Sequence, residues 1–163
     1  MPDDLLWYFA YGSNMSPATF VERRRMRPLA ARAGYLDGYR LCFDIPIGPG
    51  ERGVANLLAD PRARTHGVVY SLTVGDAERL DRTEGVPQGF YRREIVRATL
   101  VDGTSIPAFT YRSAIASAGR KPSARYLGIL LEGARAHGLP DGWVRRLEAW
   151  ELAVDERIVA GEP

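Results

Sequence analysis

A chain of 163 residues, 45% of them hydrophobic, can bury one good core but hardly two, so the sequence reads as a single domain over 1–163. Twenty-two basic against twenty acidic side chains leave a net charge of +2, which argues for no nucleic-acid or membrane partner and favours a small-molecule one. One cysteine, Cys42, rules out an intramolecular disulfide, and the sequence shows neither a basic leader nor an apolar run of about 18 residues, so a cytoplasmic setting is expected.

In chain order, Leu5 to Tyr11 is continuously apolar and aromatic and stops at Gly12, the pattern of a buried strand. Ser16 as N-cap and Pro17 at the first helical position predict a helix through "ATFVERRR", with its arginines Arg23, Arg24 and Arg25 on a solvated face. Gly34 to Asp60 is β-like, broken by the turn-rich "PIGPGERG", and Thr65 to Thr73 reads as a further strand. Asp76 is expected to cap a short helix, "AERLDRTE", that Gly85 ends. "FYRREIVRATLV" and "SIPAFTYR" flank Asp102-Gly103 as a hairpin, with Pro107 favouring an edge. Pro122 opens a helix with Tyr126, Ile129, Leu130 and Ala134 on one face and a stop at Gly138 and Pro140. A last helix, "DGWVRRLEAWELAVDE", presents Trp143, Leu147 and Trp150 before a fraying tail, "RIVAGEP". The sum is α+β: a mostly antiparallel sheet with helices packed on it.

Two segments offer chemistry. A strand running through Gly12-Ser13-Asn14 into a helix presents backbone N–H groups that suit a carboxylate or an oxyanion, though the same pattern describes an ordinary strand-to-helix turn. It lacks the lysine of a phosphate-binding loop and the spacing of G-x-G-x-x-G. In "LDRTEGVPQGFY", Glu84 stands where a helix ends, so the negative end of the dipole should raise its pKa toward that of a general base. Desolvation by Phe90 and Tyr91 would add to this; a solvated acid at a helix end is the alternative. Tyr126 either offers its hydroxyl to a ligand or belongs to the core. His66 and His137 have no ligand-spaced companions, so no metal is expected, and Ser13 lies in no nucleophile elbow.

Four blocks in order resemble the γ-glutamylcyclotransferase family: "YFAYGSN", "GVVY" at Gly67 to Tyr70, "LD..EGV..G.Y" from Leu80 to Tyr91, and "PS.RYL…GA…GLP" from Pro122 to Pro140. The resemblance implies a small barrel-like mixed sheet with flanking helices. It also implies conversion of an L-γ-glutamyl amide into 5-oxoproline and a free amine, an acyl transfer to the substrate's own amine that needs no cofactor. Glu84 falls on the family's acid/base. Tyr8, Phe9, Ala10, Tyr11, Gly12 and Ser13 match its substrate-cradling loop, and Tyr126 a substrate-contacting tyrosine. Asn14 and Tyr91 join them as substrate-binding candidates; the γ-glutamylamine-specific and AIG2-like relatives usually carry Thr-Leu where Ser13-Asn14 stand here. From Glu148 onward the chain departs from the family, leaving open a role in forming a homodimer or covering the pocket. Two rival readings are a γ-glutamyl-protected metabolite or antibiotic intermediate as substrate, and a non-catalytic binder of an anionic metabolite. Retention of Glu84 argues against the binder, since a carboxylate facing an anion costs affinity.

Overall fold

A computed structural model describes residues 4–154. Five strands close into a barrel in the order β1-β3-β2-β4-β5, where β1 is Leu5–Ala10, β2 Ala30–Pro46, β3 Gly53–Thr73, β4 Arg92–Leu100 and β5 Ser105–Arg112. All pairings are antiparallel except β1 with β5, whose single parallel bridge, Tyr8 to Phe109, closes the ring. Closure removes the edge expected for β5, and Pro107 is tolerated because it lies beyond that one bridge.

Two expected strands are one in the structure: β3 runs unbroken from Gly53 to Thr73, through the gap left between Asp60 and Thr65. The register slips between Asp37 paired with Arg64 and Tyr39 paired with Ala59, next to Gly38 at φ +91. The bulge takes up the surplus residues of β3 and bends the long hairpin around the barrel, which is how so long a strand follows a small curved sheet.

The helices sit at one end and on the flank. The chain leaves β1 through a 3-10 turn at Ser13–Met15 and enters a π-helical segment at Ala18–Arg23, not the expected α-helix. The Ser16 hydroxyl accepts a long bond from the Thr19 amide at 3.4 Å, as a cap would, and donates to Glu132 at 2.5 Å. In α1 (Val74–Thr83) the N-cap is Thr73, whose hydroxyl accepts from the Asp76 amide at 3.1 Å, so Asp76 sits inside the first turn. Gly85 does end α1, at φ +73, with the Gly85 amide bonded to the Arg82 carbonyl and the Val86 amide to the Asp81 carbonyl. The same geometry at Gly138 ends α2 (Ala124–Ala136), which Ser123 caps. Its buried face is Leu127, Leu130, Gly133 and Ala134, leaving Tyr126 and Ile129 beside it at the protein's clefts. Helix α3 (Asp141–Glu148) buries Trp143 and Leu147 but stops eight residues short of the expected end. Trp150 follows it and packs on Phe43 at 4.8 Å between ring centres, while the Ala153 amide bonds to the Pro122 carbonyl. The segment after Glu148 is thus fastened to its own chain as far as it is described; the fraying tail lies outside the described residues.

The core fills the barrel with Phe9, Val68, Leu72, Leu57, Phe109 and Leu100, and continues under α2 and α3. Cys42 is buried as expected, with its thiol pushed up to about 12 by burial. His66 and His137 are shifted down by desolvation and stand against Trp143 and Tyr70 respectively, as structural residues do. No helix among the described residues is long and apolar enough to cross a membrane.

Candidate active site

The barrel opens at one end into a small cavity lined by Tyr8, Tyr11, Gly12, Ser13, Asn14, Ala55, Glu84, Tyr91, Tyr111 and Tyr126. Strand β1 brings the first group. Its alternation sends Tyr8 toward the cavity and sinks Phe9 into the core; Ala10 is likewise fully buried. Phe9 and Ala10 therefore mount the loop and stand behind the cavity lining. Tyr8 stacks on Phe109 and Phe20 at 5.1 and 5.9 Å and takes a 2.9 Å hydrogen bond from Asn14 Nδ2. Tyr70 in turn donates to the Asn14 carbonyl at 2.8 Å, so both ends of Asn14 are tied to aromatic residues.

Asn14 Oδ1 is different. It is buried and has no hydrogen-bond partner. An orphaned acceptor at a cavity wall is the state of a group awaiting a donor, because burying it unpaired costs roughly 1–3 kcal/mol. In the adjoining 3-10 turn the Met15 and Ser16 amides are taken up by Gly12 and Ser13 carbonyls, while the Ser13 and Asn14 amides meet no backbone acceptor among the described residues. The turn thus offers donors for an anion beside an acceptor for a cation.

Beside this turn Glu84 is the C-cap of α1, so Gly85 and its reverse hydrogen bonds decide where the carboxylate points. Its side chain is 14% exposed and pairs with Arg24 at 2.9 Å. Its pKa is raised, as expected, with burial the main cause, opposed by the positive charge of Arg24 and a hydrogen bond from Asn14. Arg24 corrects a second expectation, since it belongs to no solvated face. Arg25, at φ +57, turns the chain so that its carbonyl accepts from Arg79.

Tyrosines complete the ring. One backbone residue, Ala55 of β3, holds two of them: its amide donates to Tyr126 Oη at 3.1 Å and its carbonyl accepts from Tyr91 Oη at 2.8 Å. Tyr111 donates to Asp81 at 2.5 Å, which also accepts from Arg93 at 2.7 Å, and its own carbonyl accepts from Tyr11 Oη at 2.5 Å. Burial raises all four hydroxyls, so each remains a neutral donor. Ala55, Tyr111 and Arg24 carry no motif that names them: they come from strands and a helix far apart in sequence and join only when the barrel closes. Gly12 is small for a reason, since a Cβ there would stand 3.3 Å from Tyr126 Oη and 3.2 Å from the Ala55 Cβ, narrowing the cavity.

A family model described as the AIG2-like family matches residues 64–147, which takes in Glu84, Tyr91, Tyr111 and Tyr126 and begins downstream of Ser13-Asn14. The chain is 36% identical over 143 residues to the γ-glutamyl cyclotransferase gliK of Claviceps purpurea, across 82% of this chain and 64% of that one. It therefore spans less than two thirds of that fungal relative's length. To the human γ-glutamylcyclotransferase it is 30% identical over 151 residues, 88% of this chain and 78% of that one. A solved γ-glutamyl cyclotransferase superposes with a TM-score of 0.83 at 25% identity, covering 96% of this chain and 94% of the other. The family match over just over half the chain and the human relative aligned along most of both sequences place this protein in the AIG2-like, γ-glutamylcyclotransferase family.

Proposed function

We propose that this protein cyclises an L-γ-glutamyl amide to 5-oxoproline and releases the amine, with Glu84 relaying protons. One observation carries the reading: a buried carboxylate of raised pKa lines a small cavity beside a turn that offers both an unpartnered acceptor, Asn14 Oδ1, and amides without a backbone acceptor. That is the complement of an amino acid's α-carboxylate and α-ammonium. Asn14 Oδ1 and Glu84 receive the ammonium, and the Ser13 and Asn14 amides the carboxylate. Tyr91 and Tyr126, held by Ala55, wall the γ-carbonyl side.

The reaction is intramolecular, so holding the glutamyl chain folded supplies much of the rate. The α-nitrogen attacks the γ-carbonyl carbon, a C–N bond forms, and the amide C–N bond to the amine breaks. In becoming the lactam N–H the α-ammonium sheds two protons, and the departing nitrogen gains two on leaving as an ammonium. Glu84, the single carboxylate lining the cavity, takes and returns them. Burial raises its basicity, and the positive charge of Arg24 opposes that rise and favours the ionised form. The cytoplasmic setting and the pairing of two copies expected from sequence belong to this proposal; cell fractionation and sedimentation test them.

Incubating the protein with a panel of γ-glutamyl amides, with and without a chelator, and measuring 5-oxoproline decides the matter. Release from at least one amide in both conditions is expected. No release from any amide, or release only with added zinc, would overturn the proposal.

A further inference from the structure

Two clefts border the cavity that takes the glutamyl group: one shares Ser13 and Tyr126 with it, the other Ser13, Glu84, Tyr91 and Tyr126, and the two clefts share Arg24 and Val54 as well. The amine half of a substrate must lie in one of them. They differ in charge. The first is lined by Arg23, Arg24, Arg52 and Arg125 and by no acidic side chain, with Ile47, Val54 and Ile129 as its apolar floor. The second is lined by Ile45, Val54, Phe90, Gln88 and Glu84, with Arg24 at its border.

Resting on the cyclotransferase reading, we propose that the arginine-lined cleft is the leaving-group site, and that the preferred substrate is a γ-glutamyl amide whose amine bears a carboxylate on its side chain as well as at its α-carbon. Of the cleft's arginines, Arg24 is neutralised by Glu84; of the nearby acids, Glu132 accepts from Ser16 and Glu51 pairs with Lys121. Among the described residues Arg23 and Arg125 make no ion pair, so their charge faces the cleft uncompensated. Arg125 and Ser123 also stand in the first turn and cap of α2, so the positive end of that helix adds to the field. Arg125 precedes Tyr126, whose hydroxyl borders the glutamyl cavity, which puts cationic side chains one residue from the reacting end of the substrate. The aliphatic floor suits the methylenes of an acidic side chain, and arginine suits its planar carboxylate.

The test compares kcat/KM for γ-L-glutamyl-L-glutamate, its near-isosteric neutral partner γ-L-glutamyl-L-glutamine, and γ-L-glutamyl-L-leucine, by 5-oxoproline release. An exposed charge pair is worth up to about fivefold and two reinforce each other, so the acidic amide should exceed the neutral one by about 5- to 20-fold at low salt. That ratio should fall toward unity at about 1 M NaCl, where the screening length is about 3 Å. In Arg23→Gln/Arg125→Gln, checked for folding by circular dichroism, it should shrink to within about twofold. The salt series on the unmutated protein decides the question should the double variant misfold. A wild-type ratio at or below one, a preference for the leucine amide, or a ratio that survives both high salt and the double substitution overturns the leaving-group proposal while leaving cyclotransfer intact. Absence of 5-oxoproline from all three amides overturns both.

Discussion

Replacing Glu84 with Gln isolates the proposed proton relay, because the amide keeps the side chain's shape and hydrogen-bonding reach while losing its basicity. No other carboxylate lines the glutamyl cavity or either cleft beside it, so no neighbour can take over the proton transfer. The full general acid–base factor is then lost, a fall in rate of about 10²–10⁴-fold, with substrate affinity changed far less. The same variant also reports on the protein's stability. Burial raises the folded-state pKa of Glu84 above its unfolded value of about 4.3. Between those two values the folded form holds more protons than the unfolded one, so wild-type stability falls as pH rises through that window and carries a constant penalty above it. Gln carries no such penalty. Urea unfolding from about pH 4 to pH 8 should therefore show Glu84→Gln gaining stability relative to wild type as pH climbs through the window, then levelling. In activity, the acid limb of kcat/KM should lie above the ordinary glutamate value and stay put when substrates of different α-amine pKa are compared. Wild-type 5-oxoproline release by folded Glu84→Gln would refute the assignment, and a stability difference flat across pH would refute the burial argument.

Two further outcomes follow from neighbouring contacts. Arg24 holds the Glu84 pKa down against burial, so Arg24→Gln should raise it further and move the acid limb of the pH–rate profile to higher pH; an unmoved limb would mean the 2.9 Å pair does not govern the carboxylate. Gly133 lets α2 approach the backbone of the substrate turn, and a Cβ there would stand 2.4 Å from the Met15 carbonyl carbon and 2.6 Å from its oxygen. Gly133→Ala should lower Tm by about 3–10 °C and depress turnover with it, since the turn that carries Ser13 and Asn14 must shift; calorimetry showing an unchanged Tm would contradict the packing.

What sequence alone determines here is local chemistry. An apolar run ending at Gly12, glycines at Gly85 and Gly138 that end helices at positive φ, the Asp102-Gly103 hairpin and the Glu84 that closes α1 all depend on a few consecutive residues. Their signals survive without the rest of the chain, and the ordered blocks around them carry the family resemblance. Tertiary structure decides what depends on distance. Two strands are expected either side of residues 61–64 until a bulge against β2 carries β3 through them, and only strand alternation within the closed barrel sends Phe9 into the core while Tyr8 meets the cavity. Arg24 is one of three consecutive arginines in sequence; only the π-helical turn and the packing of α1 select it to meet Glu84. The raised Glu84 pKa shows the division most clearly. The helix dipole is a local cause and could be read in advance, but desolvation sums the atoms of every element around the carboxylate, and those meet only in the folded barrel.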